Sequence, residues 1–75
     1  MFPINLSDKW RIVDDPLQWI IQRNRGKTGW RNRYYLRSRK GLLEYVGEYC
    51  VRAPNSPPVD PEALAMLEKF PEWHD

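Results

Sequence analysis

Two alternating runs, Leu17–Arg23 and Trp30–Arg37, flank a short segment, Asn24-Arg25-Gly26-Lys27-Thr28-Gly29, that carries two glycines. Alternation places successive side chains on opposite faces of a strand. Leu17, Trp19 and Ile21 then share one face, with Gln18, Ile20 and Gln22 on the other. The segment between the runs reads as a hairpin loop, its glycines standing where a positive φ is required. In the second run Trp30, Tyr34 and Leu36 point inward, and Arg31, Arg33, Tyr35 and Arg37 point outward. This hairpin is the strongest constraint on the fold.

The remaining elements fit around it. Trp10-Arg11-Ile12-Val13 forms a first strand, stopped by the turn signal Asp14-Asp15-Pro16. Met1–Lys9 shows no periodicity and reads as a lead-in. Ser38 is a fair N-cap for a helix running to about Cys50, because its hydroxyl can accept from an unpaired first-turn N–H. Leu42, Leu43, Val46, Tyr49 and Cys50 make one apolar stripe at helical spacing, leaving Glu44 and Glu48 outside. Arg52–Pro58 reads as a stiff proline linker. Asp60-Pro61-Glu62 is a strong helix start, with Leu64, Leu67 and Phe70 facing inward and Pro71 as the stop. Trp73 is expected to fold back on the core. The 75 residues make a single small domain, 1–75, of the α+β class. Its expected form is a three-stranded antiparallel sheet packed on one face by an α-helix, plus a second short C-terminal helix, in the order β-β-β-α-α.

Charge is distributed unevenly over this frame. Between Pro16 and Leu43 stand Arg23, Arg25, Lys27, Arg31, Arg33, Arg37, Arg39 and Lys40, and no acid; all ten acidic residues lie outside. The formal net charge of +2 therefore conceals a strongly polarised molecule. Arginine suits phosphate because its planar fork donates two parallel hydrogen bonds and keeps its charge. Alternate strand residues repeat at roughly 6.5 Å, near the spacing of successive phosphates, so Arg31, Arg33 and Arg37 can track a backbone. Tyr35 offers a ring for base stacking. The candidate nucleic-acid or partner-binding residues are thus Arg23, Arg25, Lys27, Arg31, Arg33, Tyr35, Arg37, Arg39 and Lys40. The competing account is a solvated face whose arginines pair with Glu44, Glu48 or the acidic C-terminal region.

Other chemistry finds little support. Gly26-Lys27-Thr28 resembles the end of a phosphate-binding loop, but position 21 is Ile where that motif needs Gly, and a strand rather than a helix follows. His74, the lone histidine, and Cys50, the lone cysteine, give no metal set or dyad, and Cys50 reads as a small core residue. Trp10, Trp19 and Trp30 read as core. No catalytic residue, cofactor, metal, small-molecule substrate or membrane segment is expected. A single cysteine fits a reducing compartment, so the expected location is the cytoplasm.

The run Asp15-Pro16-Leu17-Gln18-Trp19-Ile20, after Trp10 and before a basic hairpin, resembles a set of short uncharacterised proteins of alphaproteobacteria and their phages. The similarity spans roughly residues 10–50, and Val59-Asp60-Pro61-Glu62 to Trp73 fits loosely. The resemblance implies a mobile-element setting, where small proteins often act by binding, as host-takeover or anti-defence factors, anti-CRISPR proteins among them. Three functions follow as expectations. The first is a non-enzymatic phage-type protein binding nucleic acid or a nucleic-acid-handling complex through the arginine face. The second is a phage-encoded inhibitor of a host defence system, docking stoichiometrically on an acidic or nucleic-acid-binding host protein. The third is a structural accessory protein without an anionic ligand.

Overall fold

A computed structural model describes residues 2–52 and 58–74. It is α+β, with an antiparallel sheet and two α-helices, but the sheet has four strands rather than three. They are β1 (Ile4–Asn5), β2 (Trp10–Asp14), β3 (Trp19–Asn24) and β4 (Trp30–Leu36), ordered β1-β2-β3-β4. Helix α1 (Arg39–Tyr45) runs into a π-helical turn, Val46–Val51, and α2 (Pro61–Glu68) follows. Most of the expected linker, residues 53–57, lies outside the described residues.

The additional strand, within the expected lead-in, is β1. Ile4 pairs with Ile12 and Asn5 with Arg11, and Ile4 and Leu6 are buried in the core. The N–H groups of Leu6 and Ser7 both donate to the Trp10 carbonyl, closing the turn into β2. The second correction concerns Leu17, which lies in the turn before β3 and is 62% exposed. There Asp15 Oδ1 accepts from the N–H groups of Leu17 at 2.8 Å and Gln18 at 2.9 Å. The Leu17 bond first, then one from the Gln18 side-chain amide at 3.2 Å, hold the Asp15 carboxyl below its ordinary range. A depressed folded-state pKa makes this turn's contribution present above the unfolded value and lost as pH falls through the folded one.

One sheet face carries Trp10, Ile12, Trp19 and Ile21, and these join Leu42, Tyr45, Val46, Cys50, Ala63, Leu67 and Phe70 in one core. Both caps form as expected: Ser38 Oγ accepts from Gly41 N–H at 3.1 Å, and Asp60 Oδ1 from Glu62 N–H at 2.9 Å. The expected helical stripe holds for Leu42, Val46 and Cys50, while Tyr49 is 49% exposed. The π turn explains this: Arg52 N–H bonds the Gly47 carbonyl, five residues back, and that wider turn rotates side chains away from α-helical phase.

The C-terminal residues dock through backbone. Arg39 N–H donates to the Glu72 carbonyl and His74 N–H to that of Arg37. Trp73, expected on the core, is 63% exposed. His74 takes that place, its ring 5.1 Å from Trp19 in an edge-on contact and Nε2 3.5 Å from Asp14 Oδ2. Trp19 also stacks on Phe70, centroids 5.0 Å apart. Trp19→Ala should therefore destabilise the domain by about 3–5 kcal/mol in urea unfolding, while Trp73→Ala should change stability by less than about 0.5 kcal/mol. Equal unfolding midpoints for the two variants would contradict this packing.

Candidate functional site

The β3–β4 hairpin is shaped by one extra residue. Trp19, Ile20 and Ile21 pair with Leu36, Tyr35 and Tyr34, whereas Gln22, Arg23 and Asn24 pair with Asn32, Arg31 and Trp30. Arg33 is the unopposed residue of a bulge, so the side-chain phase of β4 flips across it. Three expectations for this strand are corrected as a result. Trp30 does not share the inward face with Tyr34 and Leu36; it lies on the open face with Asn32 and Tyr35. Tyr34, though on the helix-covered face, is 46% exposed. Arg31 does not share a face with Tyr35; it lies on the helix side, directly opposite Arg23.

The open face carries a polar ladder that the alternation did not reveal. Arg11 Nε donates to Gln22 Oε1 at 2.7 Å, Gln22 Nε2 to Asn32 Oδ1 at 2.7 Å, and Asn32 Nδ2 to the Tyr35 hydroxyl at 3.4 Å. The Arg11 guanidinium also lies 4.2 Å from the centroid of the Trp30 ring. Arg11, Gln22 and Asn32 are direct cross-strand neighbours, whereas Asn32 reaches Tyr35 along β4 and Arg11 reaches Trp30 across β3. Tyr35 is thus engaged in the sheet's own bonding.

The helix side and the loop hold most of the cations. Arg23 is half-buried, its guanidinium 5.3 Å from the Trp10 ring centroid. Arg33 is near enough for its positive charge to oppose the upward shift of Tyr45. Arg25 and Lys27 are exposed in the loop, where a 3-10 turn, Gly26–Thr28, lies between Gly26 at φ 71° and Gly29 at φ 75°. Those values favour glycine at both positions. Asn24 anchors the loop, its Oδ1 accepting from Gly26 N–H at 2.9 Å and its N–H reaching the Lys9 carbonyl at 2.8 Å. Arg37 and Lys40 are exposed beyond the far end of β4. Arg39 stands apart: its Nη1 donates to the Phe70 carbonyl at 2.8 Å, tying α1 to the C-terminal segment.

Among the described residues two ion pairs occur, Arg52–Glu48 at 3.6 Å and His74–Asp14 at 3.5 Å. None of the basic residues from Arg23 to Lys40 is in either, and Glu48 is turned to Arg52. Among the described residues no group of three or more His, Cys, Asp or Glu side chains is placed to hold a metal ion, and no helix is long and apolar enough to cross a membrane. Cys50 is fully buried, and burial pushes its thiol up to about 12, against the opposing charge of Arg23. Tyr45 is likewise pushed up to about 12, first by burial and then by Tyr34. No protein-family model, curated protein or solved structure matches the chain.

Alkylation of Cys50 by iodoacetamide at mildly alkaline pH should be slower by orders of magnitude in the folded protein than in urea, since the thiolate is the nucleophile. Comparable rates in the two states would show that Cys50 is accessible and ionised.

Proposed function

We propose that this chain is a small non-enzymatic binding protein of phage type whose arginine-rich hairpin holds the phosphates of nucleic acid, free or within a nucleic-acid-handling complex. The observation that carries the reading is Arg23 directly opposite Arg31 on adjacent strands, with Arg33 at the bulge beside them and, among the described residues, no acid paired to any of the three. Like charges directly opposite across a sheet destabilise it. An anion placed between the two forks removes that repulsion and accepts charge-assisted hydrogen bonds from both. Arg25 and Lys27 extend the cationic surface through the loop, and Arg37 and Lys40 extend it past the end of β4. Arg39 drops out of the binding set because its guanidinium is already tied to the Phe70 carbonyl, whereas Tyr35, bonded only through its hydroxyl, keeps an exposed ring.

A second reading, docking on a host protein as a stoichiometric inhibitor of a defence system, draws on a different observation. β4 is an outer strand of the sheet, and an outer strand offers backbone groups to a partner chain. The mobile-element setting implied by the resemblance is compatible with either. A positive surface excludes DNA mimicry as the inhibitory route, because a mimic of a polyanion must itself be acidic.

Fluorescence anisotropy against labelled DNA at graded salt separates the two. Four phosphate contacts should give a log–log slope of affinity on salt near about −3.6 for duplex and about −2.8 for single strands. The double variant Arg31→Glu, Arg33→Glu should abolish binding without destabilising the exposed positions, and should raise stability by about 0.2–1 kcal/mol because Glu at 31 attracts Arg23 where Arg repels it. Retained, salt-insensitive binding by that variant would reject the phosphate reading. Absence of nucleic-acid binding, with charge-sensitive capture of a host protein, would favour the inhibitor.

A further inference from the structure

Tyr34 from β4, Tyr45 from the end of α1 and Tyr49 from the π turn form one aromatic cluster. Their ring centroids lie 4.0 Å apart for Tyr34–Tyr45, 4.5 Å for Tyr45–Tyr49 and 6.4 Å for Tyr34–Tyr49. Tyr45 is buried at the centre, whereas Tyr34 and Tyr49 keep about half of their surface in water, with ring planes 20° apart. Beside them runs an open groove of about 820 Å³ between β4 and the helical segment, floored in part by Leu36 and Leu43. Scattered apolar exposure is ordinary, but aromatic surface gathered around a groove marks a binding site more often than chance does.

The charges around the groove decide what fits. On β4, Arg33 directly precedes Tyr34 and Arg31 lies on the helix-facing side of the strand, both outside the groove's lining. On the helical side the groove is lined by Glu44 and Glu48, the latter held by Arg52. A polyanion is drawn to the arginines of β4 beside the groove and kept from Glu44 and Glu48 within it. Its charged backbone must then follow β4, and only uncharged, flat groups can extend across the tyrosines. We propose that Tyr34 and Tyr49 are a stacking platform for the bases of a single-stranded nucleic acid whose phosphates follow Arg31 and Arg33. In a duplex the bases are already stacked on one another and present no face, so the platform selects single strands. The proposal rests on the phosphate reading above and adds the strand state of the ligand and the residues that choose it.

The test measures anisotropy with a labelled oligodeoxythymidine of about 12 nucleotides, within the usual site size for such surfaces. An abasic backbone of equal length and a duplex serve as comparisons. Tyr49→Ala should weaken binding of the thymidine strand about 10-fold, Tyr49→Phe should stay within about twofold because the ring and not the hydroxyl does the stacking, and neither should change the salt slope. The abasic strand should bind the parent more weakly and should not distinguish parent from Tyr49→Ala. Because Tyr49 is exposed, the alanine variant is expected to fold, and the phenylalanine variant controls for packing on Tyr45. Unchanged affinity of Tyr49→Ala for the thymidine strand, or equal binding of abasic and thymidine strands, overturns the platform. If the Arg31→Glu, Arg33→Glu variant still loses all binding in that case, the phosphate reading stands alone. A parent protein that binds neither strand nor duplex overturns both.

Discussion

The single extra residue in β4, Arg33, determines which side chains meet around this hairpin. In a regular ladder the pairing of Ile21 with Tyr34 would continue to Gln22 with Arg33 and Arg23 with Asn32, leaving Arg31 away from Arg23. The bulge advances the pairing by one residue, so Arg31 comes to stand opposite Arg23 and Asn32 opposite Gln22. A one-residue shift moves every side chain beyond it to the other face. The same step completes the Arg11–Gln22–Asn32–Tyr35 ladder on the open face and assembles the arginines on the other. A polar ladder on the open face and two facing arginines at the end of the core face are thus two consequences of one irregularity.

The helix side depends on a second irregularity. Had α1 continued in α-helical phase, Tyr49 would lie in the stripe of Leu42 and Val46 and help fill the core. The π turn moves it toward β4, where it meets Tyr34 over Tyr45. Such single-turn widenings are rare and frequently mark functional positions. The C-terminal segment holds this arrangement from the opposite end: Arg39 bonds Phe70 and Glu72, and His74 packs on Trp19. A helix flanked by those contacts and by the Ser38 cap has little freedom to shift relative to β4.

Much of this frame was legible because its signals are local. Ser38 and Asp60 announce their helices through a side-chain oxygen near an unpaired N–H, and Gly26 and Gly29 announce the loop through φ. β1 was legible in principle: Phe2, Ile4 and Leu6 alternate, but Pro3 and the brevity of the run hide the pattern, and pairing with β2 is what makes it a strand. The bulge was not legible, since alternation of Trp30, Tyr34 and Leu36 fits an unbroken strand equally well. Nor could periodicity separate Trp73 from His74. That choice is made by the bridge between Trp73 and Ser38, which fixes the direction in which each neighbouring side chain leaves the chain. The candidate site was therefore legible as a collection of cations, but not as a geometry. Arg39 belongs to the fold and Tyr35 to the open face, and by spacing alone Tyr34 and Tyr49 fit the core rather than the surface.

The remaining rival to a ligand is that the charges on β4 serve only to keep an exposed strand from pairing with its like in another molecule. Natural sheets do blunt their edges with charge and with bulges, and β4 carries both. Edge protection asks for charge of either sign, is met most often by lysine, and is served by residues on the strand itself. Here the window from Arg23 to Lys40 holds six arginines and two lysines. One of the arginines, Arg23, is on the interior strand β3, flanked by β2 and β4, where no edge needs guarding. Its guanidinium lies near Trp10 and opposite Arg31, an arrangement that adds repulsion within the sheet and contributes nothing to keeping another molecule away. The two functions can share Arg33, since a charged bulge guards a strand and can also meet a phosphate, but guarding an edge does not explain Arg23, which the fold holds over the Trp10 ring. Under the proposed reading, the facing pair of Arg23 and Arg31 is the feature that edge protection leaves unexplained.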